Sequence, residues 1–410
     1  MQPVRGTKDL FGENILKYNY IIETAKKCAK LFNFKELSTP IFEFSDVFER
    51  NLGETSDVVM KEVYKFKDKG DNFISLRPEF TAGVARAIIT NSELRDNMPL
   101  KLFSYGPLFR YDRPQMGRQR QFHQINFEYY GNASFYAEVN ILQLAAYFLK
   151  SLQINNLTLE INSLGSDESR TNFENALKEY FTKHYDELSE YSKVRLEKNV
   201  LRILDSKEEC DKALLKDVPQ IKDFYTLEDK EFFSNVLNKL DLLHIQYKVN
   251  PTLVRGLDYY TGIVFEFTTN ELGTQSGVLG GGRYNKLMKN MGGADTPAVG
   301  FAGGVERLML LLKKTFDEPR PIGLVSIGEK EVDYCLTLQD MLRENGLNVE
   351  YFPNGKVKQK CNLANKTKCK YVIVMGENEV LEKKAVIKDL DSGEETKIDN
   401  SEILKYLKER

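Results

Sequence analysis

The sequence predicts an α+β protein: an antiparallel-sheet domain carrying a helical insertion, followed by a small α/β domain. Three observations predict it. Aromatic and β-branched residues recur between Gly and Pro punctuation over residues 66–76 and 100–130, the mark of antiparallel strands. Residues 165–245 switch to a helical period, with Phe173, Ala176, Leu177, Tyr180 and Phe181 spaced as one helix face. Beyond Pro319 and Pro321, short apolar strands alternate with helices, the pattern of an α/β unit.

Taken in order, residues 13–32 follow helical spacing through Ile15, Tyr18, Ile22, Ala25, Cys28 and Ala29. The chain then runs extended around Pro40 before the strands of 66–76 and 100–130, and a helix follows over 138–150. A second helical set, Phe232, Phe233, Val236, Leu237 and Leu240, closes the charge-rich stretch 165–245. An inserted helical module and a helical layer of the same domain both fit that stretch. Strand and glycine signals return after Val249 and end in a helix over 305–314. The segment from Asp317 to Pro321 marks a boundary, because paired prolines exclude helix and sheet ladder alike. The first domain thus spans 1–316, with the insertion at about 165–245, and the second spans 321–410. In the second, strands over 322–327, 349–352 and 371–375 flank a helix over 332–343; Asp391-Ser392-Gly393 forms a hairpin turn and a helix closes the chain.

Hydrophobic residues at 41% and charged residues at 29% are those of a folded globular chain and exclude a disordered one. The longest nearly apolar run, around Leu308 to Leu312, falls far short of the ~20 residues that cross a bilayer. The N-terminal stretch has neither the apolar core of a secretory signal nor the Arg- and Ser-rich character of a transit peptide. Cys28, Cys210, Cys335, Cys361 and Cys369 are scattered, with no C-x-x-C pair, and His123, His184 and His244 are the only histidines. Neither a disulfide framework nor a protein-held metal is expected, and the setting is the cytosol. The net charge of −2 says nothing about nucleic acid, because a whole-chain sum averages out local patches.

The densest chemical signal runs from Phe109 to Glu128. A strand ends at Arg110, a Pro/Gly loop carries Arg113, Arg118 and Arg120, and a second strand returns. On that strand the two-residue period puts Phe122, Gln124, Asn126 and Glu128 on one face. His123, Ile125 and Phe127 take the other. Four arginines suit a polyphosphate, since each guanidinium fork bonds two phosphate oxygens. An Arg-rich loop alone is more often solvated surface; the polar face behind it favours a site, because buried Gln and Glu need partners. Three further signals are Leu253 to Gly262, the glycines before Arg283 and Tyr284, and the strand–Gly–helix passage Ala298 to Leu308 with Arg307 in the first helical turn. A helix start with an arginine suits a terminal phosphate, although such passages often serve packing alone.

Together these stretches resemble the class II aminoacyl-tRNA synthetases, and among them the histidyl-tRNA synthetase family. Phe109 to Glu128 looks like motif 2, Gly300 to Leu310 like motif 3, and residues 13–43 occupy the place of motif 1. Val4 to Asp9, Leu253 to Tyr260 and Gly281 to Tyr284 carry the histidine-specific part, and the resemblance extends through a C-terminal anticodon-binding-like domain. It implies a class II antiparallel-sheet catalytic domain with a helical insertion, and a ligase that converts L-histidine and ATP to the adenylate and pyrophosphate. Histidine is then transferred to the 3′ end of tRNA(His).

By the same resemblance, Arg255 and Arg110 are catalytic. Arg255 bridges the histidine carboxylate and the α-phosphate, where other class II enzymes use a metal ion. Arg110 holds the α-phosphate, Arg118, Arg120 and Arg307 the β- and γ-phosphates, Arg113 belongs to the same loop, and Phe122 stacks on adenine. Glu79, Thr81 and Gln124 hold the substrate ammonium; Glu128, Tyr259, Tyr260 and Tyr284 surround the imidazole. Mg2+ comes with ATP, the enzyme is a homodimer in the cytoplasm with no membrane association, and Lys356, Lys358 and Lys360 are candidates for tRNA contact. One position departs from the family pattern, Phe80 standing where glycine is usual. Two other readings share the fold: a synthetase-like regulatory subunit of histidine biosynthesis, which tends to lack the C-terminal domain and the catalytic arginine, and a class II synthetase for proline, threonine or glycine.

Overall fold

In the computed structural model, which describes residues 1–49, 62–257, 259–273 and 276–409, the chain divides into two compact units, Met1–Thr315 and Phe316–Arg410. The strands of the first are β1 (Lys35–Glu36), β2 (Phe42–Phe44), β3 (Lys65–Lys67), β4 (Phe73–Leu76), β5 (Leu100–Phe109), β6 (Gln121–Tyr130), β7 (Thr158–Ser163), β8 (Tyr247–Val249), β9 (Ile263–Thr268), β10 (Gly277–Arg283) and β11 (Ala298–Gly304). Eight of them form one sheet in the order β1-β5-β6-β11-β10-β9-β7-β8. Its central pairs are antiparallel, and only the edge pairs β1–β5 and β7–β8 are parallel.

The alternation on β6 decides what each face of this sheet does. Ile125 and Phe127 are fully buried, and Phe127 stacks between Phe103 at 4.6 Å and Phe301 at 5.0 Å. Tyr18 of the helix Glu13–Leu31 meets His123 edge-on at 4.9 Å, on that same face. Phe122, Gln124, Asn126 and Glu128 face a cavity instead. Glycines clear that side: Gly300 pairs with Glu128 across the strands, and a Cβ there would overlap the carboxylate.

Within residues 165–245, Phe173, Leu177, Phe181, Leu201 and Ile203 make a core of their own beneath the helices Asp167–Lys183 and Glu190–Lys198. Asp211 ties the pieces together, accepting hydrogen bonds from Ser189, Ser192 and Ser206 at 2.5–2.9 Å. The helix Leu227–Leu242 lies instead against the helix Tyr136–Ser151, with Phe232 edge-on to Phe135. Periodicity alone cannot separate the two situations, since both helices need one apolar face.

The second unit holds β12 (Ile322–Ser326), β13 (Val349–Tyr351), β14 (Tyr371–Met375), β15 (Lys384–Asp389) and β16 (Glu395–Asp399), in the order β13-β12-β14-β15-β16. The first three run parallel through the helices Val332–Glu344 and Val357–Lys366, and β15–β16 is a hairpin turning at Gly393, whose φ is 77°. No helix among the described residues is long and apolar enough to cross a membrane.

Candidate active site

A cavity of about 560 Å³ opens over β6, β9, β10 and β11. Its floor is Glu128, 1% exposed, which accepts hydrogen bonds from Thr81 Oγ1 at 2.7 Å, Asn126 Nδ2 at 3.1 Å and the Tyr284 hydroxyl. Burial pushes its carboxyl up to about 7 against the pull of these donors. Tyr259 and Tyr260 form the wall beside Tyr284, at 5.5 and 6.4 Å between ring centres, and burial raises all three phenols. A polar floor under three aromatic rings suits a small planar ring that can both donate and accept.

Glu79 caps the helix Thr81–Thr90, accepting the backbone N–H of Thr81 at 2.5 Å and of Ala82 at 2.8 Å. Burial raises its carboxyl as well. Gln124 lines the same wall, on β6 opposite Gly106. Phe80, the departure from the family pattern, is 2% exposed, and its ring lies 4.5 Å from the Arg77 guanidinium.

Four arginines line the cavity. Arg110 is anchored by Nε to the Pro78 carbonyl at 2.9 Å and lies 5.3 Å from the Phe122 ring; burial lowers its affinity for the proton. Arg118 pairs with Asp112. Arg307 donates to the Gly277 carbonyl. The helix that carries Arg307, Val305–Leu311, is only two turns long, so the side chain counts for more there than the helix dipole.

Arg255 donates Nη1 to Glu266 Oε1 at 2.6 Å, while its buried Nε has no partner among the described residues. Burial would weaken its hold on the proton, but Glu266 and Tyr260 outweigh burial and raise it. The guanidinium lies flat over Gly280, where a Cβ would come within 2.6–2.8 Å of its atoms. That close approach explains a glycine directly opposite Glu266 in the ladder.

The structure brings Arg110, Arg118, Arg255, Arg307, Glu79, Thr81, Phe122, Gln124, Glu128, Tyr259, Tyr260 and Tyr284 to this one cavity. Two motif 2 arginines are not on its lining. Arg113 is exposed on the loop, and Arg120 lies 3.9 Å over the Tyr111 ring with Nε on the Asp112 carbonyl at 3.2 Å. Asp258, inside the Leu253–Tyr260 string, lies outside the described residues.

Lys360 requires a correction. It shares the inner face of the helix Val357–Lys366 with Ala364, is 5% exposed, and donates Nζ to Ser326 O at 2.9 Å and Ser326 Oγ at 3.2 Å. Four-residue spacing put it inward, so it braces β12 and is not available to RNA. Lys356 and Lys358 are exposed. Sequence reasoning missed Glu266, although its signal was present: a single acid inside the apolar run Ile263–Thr268.

Residues 6–308 match the histidyl-tRNA synthetase family and residues 322–410 the anticodon binding domain family. The chain belongs to the histidyl-tRNA synthetases. A histidine–tRNA ligase of Wolbachia pipientis wMel is 49% identical to it over 395 residues, covering 96% of each chain. One from Rickettsia bellii is 45% identical over 410 residues, covering 100% of this chain and 99% of its own. The crystal structure of apo Staphylococcus aureus histidyl-tRNA synthetase superposes with a TM-score of 0.83 at 32% identity, covering 100% of both chains. The ATP-dependent aminoacyl-tRNA ligase reading is thereby supported over the regulatory-subunit reading and over a synthetase for another amino acid.

Proposed function

We propose that this cavity is where histidine is activated and transferred to tRNA(His), with the side chains in the following roles. The observation that carries the reading is what one cavity gathers: Glu128, bonded by Thr81 and Tyr284, with Tyr259 and Tyr260, and together with them Arg110, Arg255 and Arg307.

The imidazole lies among Tyr259, Tyr260 and Tyr284 with a nitrogen on Glu128, and the ammonium is held by Glu79, Thr81 and Gln124. A ring lacking those nitrogens leaves the buried polar floor unpaired, which supports discrimination of roughly 10⁴-fold without editing. Phe122 stacks on adenine, Arg110 holds the α-phosphate, and Arg118 and Arg307 hold the outer phosphates. The histidine carboxylate oxygen attacks the α-phosphorus, the bond to the bridging oxygen breaks, and pyrophosphate leaves. No protein nucleophile is required, so rate rests on alignment and on countering charge at the α-phosphate. Arg255 does both, its guanidinium aimed by Glu266 from the cavity lining. In the second half-reaction a ribose hydroxyl at the tRNA 3′ end attacks the acyl carbon and AMP leaves. Mg2+ accompanies the ATP phosphates.

A homodimer is supported by the small sheet β2-β4-β3, which exposes Phe42, Phe44, Phe66 and Phe73 at 45–63% beside the motif 1 region. Sedimentation equilibrium tests it, and a fully active monomer would overturn it. Five free cysteines, three of them buried, fit a reducing cytosol.

The deciding experiment is ATP–pyrophosphate exchange with Glu128→Gln. A carboxylate accepts an N–H from either tautomer of imidazole, whereas an amide must choose one orientation. The KM for histidine rises well beyond the KM for ATP; the opposite order rejects the assignment.

A further inference from the structure

The segment that carries Arg255 has no regular secondary structure of its own. Residues 253–257 lie between β8 and β9 outside any strand or helix, so what fixes them must come from neighbouring elements. On the sheet side, Leu253 is buried in the core around Tyr259, Tyr260 and Tyr284, and its carbonyl accepts from Asn162 Nδ2 at 3.1 Å. Val254 packs against both that core and the core of the helical segment, which contains Phe173, Leu201 and Ile203. Two residues further along, Arg202 of that segment donates Nη2 to the Gly256 carbonyl at 2.6 Å. Arg255 is thus flanked by Val254 and Gly256, each tied to the helical segment.

Arg202 is itself well placed to hold still. It sits in the 3-10 turn Val200–Asp205 between Leu201, 5% exposed, and Ile203, fully buried, and its own carbonyl accepts from Arg195 Nη1 at 3.2 Å. The same turn adds Leu204 and Asp205 to the cavity lining. Glu266 fixes only the tip of Arg255, and a side chain pinned at its tip still swings when its backbone moves.

We infer that Arg202 is a positioning residue for adenylate formation: through the Gly256 carbonyl it holds the backbone that presents Arg255, and so makes the helical segment part of the activation machinery. The inference presupposes the role assigned above to Arg255. Misplacing a catalytic group by about 1 Å can cost on the order of 10²-fold in rate.

The test is steady-state ATP–pyrophosphate exchange by the full-length chain, at a temperature where circular dichroism shows each variant folded. Arg202→Ala lowers kcat by about 10- to 100-fold, with the KM values for ATP and histidine within about threefold of the parent. Arg202→Lys recovers most of the loss, because an ammonium supplies one donor to the same carbonyl. A kcat for Arg202→Ala within about twofold of the parent overturns the inference, and so does a Lys variant as slow as the Ala variant. Arg255→Ala run alongside separates the two levels. If it abolishes exchange while Arg202→Ala is normal, only the coupling fails; if it is active too, the assignment of Arg255 fails with it.

Discussion

Two arginine–carboxylate pairs lie against β10, and they do different work. Arg283, the last residue of the strand, is bonded to Glu138 with side-chain exposures of 5% and 0%. Its remaining donors reach the Asn132 carbonyl at 3.2 Å, Asn285 Oδ1 at 3.1 Å and the Ser134 carbonyl at 3.5 Å. Arg255, lying over Gly280 on the same strand, meets Glu266 with exposures of 22% and 26%, and its Nε is without a partner among the described residues. Both pairs satisfy a costly charge. Only the second has a guanidinium nitrogen left without a partner among the described residues, and it lines the cavity of the candidate site. The difference separates a fastening from a reactive group: a saturated arginine holds strands in place, and an unsaturated one has something left to offer a substrate.

That comparison is broken or sharpened by four measurements. The largest effect on stability comes from Glu138→Ala, which strands a buried guanidinium and costs about 3–5 kcal/mol. Thermal or urea unfolding measures it, and a loss under about 1 kcal/mol would put this pair in the range of surface bridges. Arg255→Ala has the reverse profile: exchange falls by about 10²–10³-fold or more while the unfolding midpoint holds. A folded variant with normal exchange removes the contrast.

The third effect is a pH dependence from Glu128. Its folded value of about 7 lies above the ordinary 4.5, so the ligand-free fold favours the protonated acid. The stability this contributes is fully present below pH 4.5 and is lost as pH rises through 7, about 3 kcal/mol in all. Denaturation of the parent and of Glu128→Gln across that window isolates it. Parallel stability curves for the two proteins refute the shift.

The smallest effect belongs to the second unit. Replacing Lys356 and Lys358 by Gln raises the KM for tRNA and flattens its salt slope by roughly 0.7–0.9 for each phosphate that a lysine no longer neutralises. Exchange without tRNA is unchanged. An unaltered slope means those lysines are solvated surface only.

Much of this was legible in the chain. The alternation on β6 put Phe122, Gln124, Asn126 and Glu128 on one face and the core on the other, because a strand's period of two leaves no choice. The prolines after Asp317 lie a few residues past Thr315, inside the second unit. The lysine cluster was read less well: Lys360 is as basic in sequence as Lys358, but helical geometry turns it toward Ser326.

What the sequence by itself determined was the type of the strongly periodic elements, the two faces of β6 and the family to which the motifs belong, since these rest on spacing within a few residues. The tertiary structure alone decided which partners meet. Glu266 is 11 residues from Arg255, Glu138 is 145 from Arg283, and Arg202 is 54 from Gly256. No periodicity encodes contacts at those separations; they exist because the sheet order sets β9 beside β10 and the helical segment folds back on the loop between β8 and β9. Whether an arginine ends saturated or open depends on that convergence and not on its neighbours in the chain.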